Sequence, residues 1–173
     1  LRNSSAASDV YKRQPLRFYL LKEVSFGNDG NISKEKLENC INSDLANNYG
    51  NLCQRVISFN EKNLNLEIPK NIKFNNEDLN LLNRFKENYS KIENAINKQD
   101  INFYMNFLME TLFAANKYFN DQEPWNKKND LDRLNTIIYV SLELIRKISI
   151  LMYPIIPETS LKALKIFNIK EKN

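Results

Sequence analysis

From Ile101 to Asn120 the chain reads Ile-Asn-Phe-Tyr-Met-Asn-Phe-Leu-Met-Glu-Thr-Leu-Phe-Ala-Ala-Asn-Lys-Tyr-Phe-Asn. Tyr104, Phe107, Leu108, Leu112, Ala115 and Phe119 follow one another at steps of three, one and four. That is the period of an α-helix, not the alternation of a half-buried strand. The segment is apolar around much of its circumference, so it is predicted to be the central helix of an all-α domain. Asp100, just ahead of it, is a suitable N-cap.

The same period recurs on both sides. Upstream, Glu77–Asn97 places Leu79, Leu82, Phe85, Tyr89, Ile92 and Ile96 on one stripe. Before a loop at Leu64–Asn76, a long helix is expected from Ser33 to about Asn60, with Leu37, Ile41, Leu45, Leu52, Val56 and Phe59 inward. Ser33 is its candidate cap, and Gly27 to Gly30 marks a turn before it. A short helix covers Leu16–Val24. Downstream, Asp121–Lys128 connects to a fourth long helix, Asp130–Tyr153, which buries Leu134, Ile138, Leu142, Ile145 and Leu151 and ends at Pro154 and Pro157. A last short helix spans Glu158–Phe167. The expected architecture is an antiparallel helix bundle with short loops.

Residues 15–173 are expected to form this one domain. Residues 1–14 show no sustained period, and Ser-Ser-Ala-Ala-Ser-Asp-Val-Tyr-Lys-Arg-Gln at 4–14 resembles a translated sequencing adapter. They are read as a non-native stretch, the alternative being a disordered tail.

Composition excludes several chemistries. The 173 residues contain no histidine and only three glycines, Gly27, Gly30 and Gly50. Histidine-based triads, histidine-ligated metals, P-loops and Gly-x-Gly-x-x-Gly turns are therefore ruled out. Cys40 and Cys53 lie too far apart on one helix to bridge and form no zinc set, so they read as core thiols in a reducing, cytoplasmic setting. No apolar run approaches a membrane span. No catalytic residue and no metal site is assigned. The net charge of +4 permits a polyanionic partner without demanding one.

Two polar features stand out. Asn47, Asn51 and Arg55 are spaced four apart, which stacks two carboxamides and a guanidinium on one helix face. That face suits a nucleobase edge, or it is an ordinary solvated surface. Gly50 lies within the same stretch, where close approach of another backbone or a ligand would explain it. The lone tryptophan, Trp125, follows Pro124 in a loop flanked by Asp121, Gln122 and Glu123, then Asn126, Lys127 and Lys128. A lone tryptophan is usually core. On a stiff polar loop it is also a platform for base stacking, with Lys127 and Lys128 placed for phosphates.

Taken together, these features resemble the anticodon-binding domain of methionyl-tRNA synthetases, a helical class I synthetase type. The resemblance runs from about Leu16 to the end. It rests on the ordered segments Leu16–Leu21, Phe26–Gly30, Asn42–Asn47, Gly50–Leu52, Ala115–Tyr118, Pro124–Trp125 and Pro154–Thr159. It implies that Trp125 stacks on the first anticodon base, a cytosine, on a loop shaped by Pro124. Asn51 and Arg55 would face the anticodon bases with Asn47 beside them. The implied partner is methionine tRNA, read at its CAU anticodon loop, with neither DNA nor membrane involved. The family joins methionine to tRNA using ATP with magnesium, in a catalytic domain upstream. That domain's His-Ile-Gly-His and Lys-Met-Ser-Lys-Ser signatures do not occur here. The chain is thus expected to be a C-terminal fragment, inactive in aminoacylation alone and without a cofactor of its own.

Two other readings compete. One is the anticodon domain of a sister class I synthetase, against which the Asn51/Arg55 and Pro124–Trp125 combination speaks. The other is a helical interaction module without RNA, in which the stripe is solvated and Trp125 is a core or contact anchor.

Overall fold

The computed structural model describes residues 3–23, 30 and 32–167. Among them every regular element is helical. The α-helices are α1 (Asn3–Glu23), α2 (Lys34–Cys40), α3 (Asn51–Leu64), α4 (Asn76–Asn97), α5 (Ile101–Gln122), α6 (Leu131–Met152) and α7 (Pro157–Leu164). A π-helical segment, Ile41–Gly50, joins α2 to α3, and Pro124–Asn126 and Lys165–Phe167 are short 3₁₀ turns. The turn expected around Gly27 lies outside the described residues, apart from Gly30 and Ile32.

The central pair is α5 and α6. Short connections fold α4, α5 and α6 back on one another, while α3 and α1 lie against the pair and α7 closes one end. The six positions read as apolar in α5 are all buried. Yet α6 buries twelve residues to nine in α5, so the centre is shared. Local signals set the helix starts. Ser33 accepts the Lys36 amide at 3.2 Å, and Asp100 and Asp130 accept the Phe103 and Arg133 amides at 3.0 Å. Asn75 and Asp78 form a reciprocal capping box on α4, each bond 2.9 Å.

Three expectations change. First, α1 begins at Asn3 rather than Leu16, so helical backbone runs through the stretch read as a tail. Gln14, placed in that tail, is buried. Its Oε1 accepts the Glu158 and Thr159 amides at 3.1 and 3.5 Å and so caps α7, whose N-cap residue Ile156 supplies no side-chain bond. Nearby, Arg17 donates to the Pro154 and Ile155 carbonyls at 3.3 and 3.2 Å.

Second, the helix predicted from Ser33 to Asn60 extends to Leu64 and is not uniformly α. Its middle ten residues widen to i→i+5 bonding. The segment is rich in residues that compete for backbone groups: Ser43 Oγ donates to the Asn39 carbonyl at 2.7 Å. The wide turn also explains Gly50. A Cβ there would lie 3.2 Å from the Leu45 carbonyl oxygen, five residues back. The close approach is therefore made by the helix's own backbone. Tyr49 anchors the segment inward, its hydroxyl 2.7 Å from Ser149 Oγ on α6, both residues buried.

Third, the α4 stripe is only partly covered. Ile92 is buried, but Leu79, Tyr89 and Ile96 are exposed. Tyr89 and Ile96 line an apolar groove of about 370 Å³ against Ile150 and Leu151 of α6. The helical period placed these residues on one face, and no other element of the described chain covers that face. Leu151, expected to be buried, is half-buried at its edge.

Candidate RNA-binding surface

The loop between α5 and α6 is built by backbone geometry. Glu123 turns the chain out of α5 in the left-handed region (φ 46°, ψ 60°), the usual way a helix stops. Pro124 follows at the first position of the 3₁₀ turn, where its fixed φ fits and its missing N–H costs nothing. Asn126 N–H bonds the Glu123 carbonyl at 2.8 Å, and Lys127 N–H bonds the Pro124 carbonyl at 3.1 Å. Pro124 is buried and seats the loop. Trp125 beside it stays 41% exposed. Lys127 and Lys128 are exposed.

A buried polar network holds the two helix ends from which this loop springs. Asp78, with no exposed surface, accepts Nη1 and Nη2 of Arg133 at 2.6 and 3.0 Å. It also accepts the Tyr118 hydroxyl at 2.6 Å. Arg133 donates in turn to Gln122 Oε1, and Gln122 Nε2 donates to Glu77 at 2.8 Å. One guanidinium thus ties the first turn of α4 to the last turn of α5 and the first turn of α6. Burial works to raise the Asp78 pKa. The hydrogen bonds from Arg133, Tyr118 and the Asn75 amide, with the charge of Arg133, outweigh it and hold the carboxyl below its ordinary value. Arg133 is raised by the bond to Asp78, and Tyr118 by burial and then by Asp78.

Phe119 connects the loop to the polar stripe. Its ring meets the Trp125 indole edge-on, centroids 6.2 Å apart. The Arg55 guanidinium carbon sits 5.2 Å from the same ring's centroid, and Nη2 of Arg55 donates to Asn120 Oδ1 at 2.6 Å. A cation over an aromatic face contributes ~0.5–1 kcal/mol at an exposed site and orients the guanidinium plane. Arg55 has five donors, so most of its hydrogen-bonding capacity stays available. Asn51, the first residue of α3, and Asn47, in the π-helical segment, are exposed along the same helix. Next to Asn47, Asn48 is fixed by Asn116, whose Nδ2 donates to Asn48 Oδ1 at 2.6 Å and to its carbonyl at 3.3 Å.

The structure therefore brings Arg55 and Trp125 onto one ring and leaves exposed both Asn51, on α3, and Asn47, on the π-helical segment before it. The supporting residues Phe119, Asn120, Asn48, Arg133 and Asp78 did not stand out in the sequence. One signal was there: Asn116 and Asn120 are four apart in α5, which puts on one face the partners of Asn48 and Arg55. Among the described residues no group of acidic, cysteine or histidine side chains could hold a metal. Likewise, no helix among them is long and apolar enough to cross a membrane. The chemistry on offer is recognition: a flat π-face, a guanidinium and free amides.

Two family models match the chain. Residues 68–173 match the family model described as the anticodon binding domain of methionyl tRNA ligase. Residues 3–57 match the model of class I tRNA synthetases (M). Trp125 thus lies in the first matched region and the Asn47/Asn51/Arg55 stripe in the second. The methionine–tRNA ligase of Thermotoga maritima is 33% identical over 164 residues, 94% of this chain and 26% of that protein. That of Brucella suis is 34% identical over 160 residues, 92% of this chain and 31% of that protein. Mycobacterium tuberculosis methionyl-tRNA synthetase bound to methionyl-adenylate superposes with a TM-score of 0.86 at 33% identity, covering 91% of this chain and 32% of that one. Its apo form gives 0.83 at 35% identity, covering 87% and 32%. The chain spans about a quarter to a third of the length of these relatives. By matched residues, helical fold and relatives alike, it belongs to the methionyl-tRNA synthetase family, of which it carries the anticodon-binding domain.

Proposed function

We propose that the surface between α3 and the α5–α6 loop reads the CAU anticodon loop of methionine tRNA. Trp125 provides the stacking face, on a loop seated by Pro124. Arg55 and Asn51 contact base edges, Asn47 lies beside them, and Lys127 and Lys128 meet neighbouring phosphates. The observation that carries this reading is the shared contact of Arg55 and Trp125 with Phe119, which sets a stacking plane beside hydrogen-bond donors. Single-stranded RNA loops are recognised by that combination.

In the whole protein this domain would work beside a catalytic domain that joins methionine to the tRNA in the cytoplasm, using ATP with magnesium. The relative bound to methionyl-adenylate supports that chemistry for the family. The residues described here contribute binding and no chemical step.

The test is a titration of the chain with a CAU stem-loop and with single-base variants. Trp125 is the only tryptophan, so stacking reads out directly as quenching of its emission. Expected is quenching by CAU that falls when the first base is changed. Equal quenching by every loop would refute base readout. Joined to a catalytic domain, the protein is expected to support methionine-dependent ATP–pyrophosphate exchange.

A further inference from the structure

We propose that Phe113 is a second stacking platform on this surface, taking an unpaired loop base other than the one on Trp125; the inference rests on the anticodon-loop reading above. Phe113 is 66% exposed, the most exposed large hydrophobic side chain among the described residues. It sits on α5, where Tyr104, Phe107, Tyr118 and Phe119 are buried.

Its position along α5 is the informative part. Residues seven apart on a straight α-helix differ by only ~20° around the axis. Phe113 therefore lies on the same face as Asn120, which accepts Arg55. Asn116, between them, is the residue that holds Asn48. The order Phe113, Asn116, Asn120 along α5 thus runs alongside Asn48 to Arg55, with Asn47 toward the Phe113 end and Trp125 beyond Asn120. The seven-residue step from Phe113 to Asn120 is about 10 Å of helix rise, roughly three stacked nucleotides at ~3.4 Å each, and Trp125 stands beyond Asn120, so the two rings serve different bases. An exposed aromatic ring stands at each end of this strip, and Asn47 and Asn51 are exposed on the neighbouring helix. A short single strand is held in that way, by π-faces that accept any base and polar groups that discriminate.

Along α5 itself Phe113 is an isolated exposed apolar side chain. No other exposed large hydrophobic residue lies within residues 100–124. The flanking Glu110 and Lys117 are charged and mostly solvent-exposed. A protein-contact anchor is expected within a contiguous apolar patch, whereas a stacked base needs only the ring.

The experiment compares Phe113→Ala, Phe113→Leu, Phe113→Trp and Trp125→Ala in the 173-residue chain, using labelled CAU stem-loop and fluorescence polarisation. Phe113→Ala is expected to weaken binding about 5- to 150-fold, the range for one lost stacking contact. Phe113→Leu keeps apolar area without a π-face and should stay weak, while Phe113→Trp should bind at least as well as the parent. In Phe113→Trp/Trp125→Phe the single indole should be quenched by the loop. If Phe113→Ala or Phe113→Leu binds like the parent while Trp125→Ala is impaired, the second platform is wrong and the anticodon reading stands. If neither Ala variant is impaired, the anticodon reading itself fails.

Discussion

Replacing Arg133 by Met tests whether the buried network organises the recognition loop. The guanidinium supplies both charge-assisted bonds to Asp78 and the bond to Gln122. Without it, a carboxylate with no exposed surface retains only the Tyr118 hydroxyl and the Asn75 amide. Removing one partner of a buried pair costs ~3–5 kcal/mol, because the other charge is stranded. Two bonds survive and Arg133 keeps 17% of its side chain exposed, so the lower end, ~3 kcal/mol, is expected. For a chain of this size that lowers the melting temperature by roughly 6–12 °C.

The cost should depend on pH with a definite sign. The folded pKa of Asp78 lies below its unfolded value of about 3.9. Its contribution is therefore present above that value and lost as pH falls through the folded pKa. In Arg133→Met the stranded carboxyl shifts the other way and is relieved by protonation. The gap between parent and variant should narrow as pH drops from 7 toward 3, and Asp78→Asn/Arg133→Met should recover part of the loss. Urea denaturation followed by far-UV circular dichroism measures all three proteins. A cost below ~1 kcal/mol at pH 7, or one unchanged down to pH 3, would refute the reasoning. Trp125 emission in the folded variant reports the loop: a shift toward that of a solvated indole is expected once Gln122 loses its bond from Arg133.

Other outcomes are expected from the same contacts. Trp125→Ala should weaken CAU-loop binding about 5- to 150-fold while leaving the circular-dichroism spectrum unchanged; loss of helicity would mean the indole is structural. Tyr49→Phe should cost ~1–3 kcal/mol, since Ser149 is left buried without its partner, and a urea-derived change under ~0.5 kcal/mol would contradict that. Gly50→Ala should miss the ~1 kcal/mol gain normally found inside a helix, because the new methyl meets the Leu45 carbonyl; a full gain would argue against the wide turn. Burial pushes the Cys40 and Cys53 thiols up to about 12, so iodoacetamide should label the folded protein at pH 8 far more slowly than the urea-unfolded chain, and equal rates would disprove the burial.

The helices were legible where packing is decided by period. Tyr104 to Phe119 in α5 and Leu134 to Ile145 in α6 lie inward as their spacing requires. The caps Ser33 and Asp100 were legible too, because capping is a contact across three residues. The π-helical turns were not. A period of 3.6 and a wider one differ little over ten residues, and the closeness of Gly50 to Leu45 exists only once the backbone has widened. The exposure of Tyr89 and Ile96 was not legible for a related reason: period assigns a face but not whether anything covers it.

Sequence alone determined the all-α class, the absence of histidine chemistry, and the candidates Asn47, Asn51, Arg55, Pro124 and Trp125, since residue type and local spacing are written in the chain. Tertiary structure alone decided that Arg55 and Trp125, seventy residues apart, share the ring of Phe119, and that Arg133 braces the loop of Trp125 through Asp78. The physical reason is range. Helical period and capping act over three or four residues, whereas a guanidinium finds its aromatic ring and its carboxylate only after distant helices have packed.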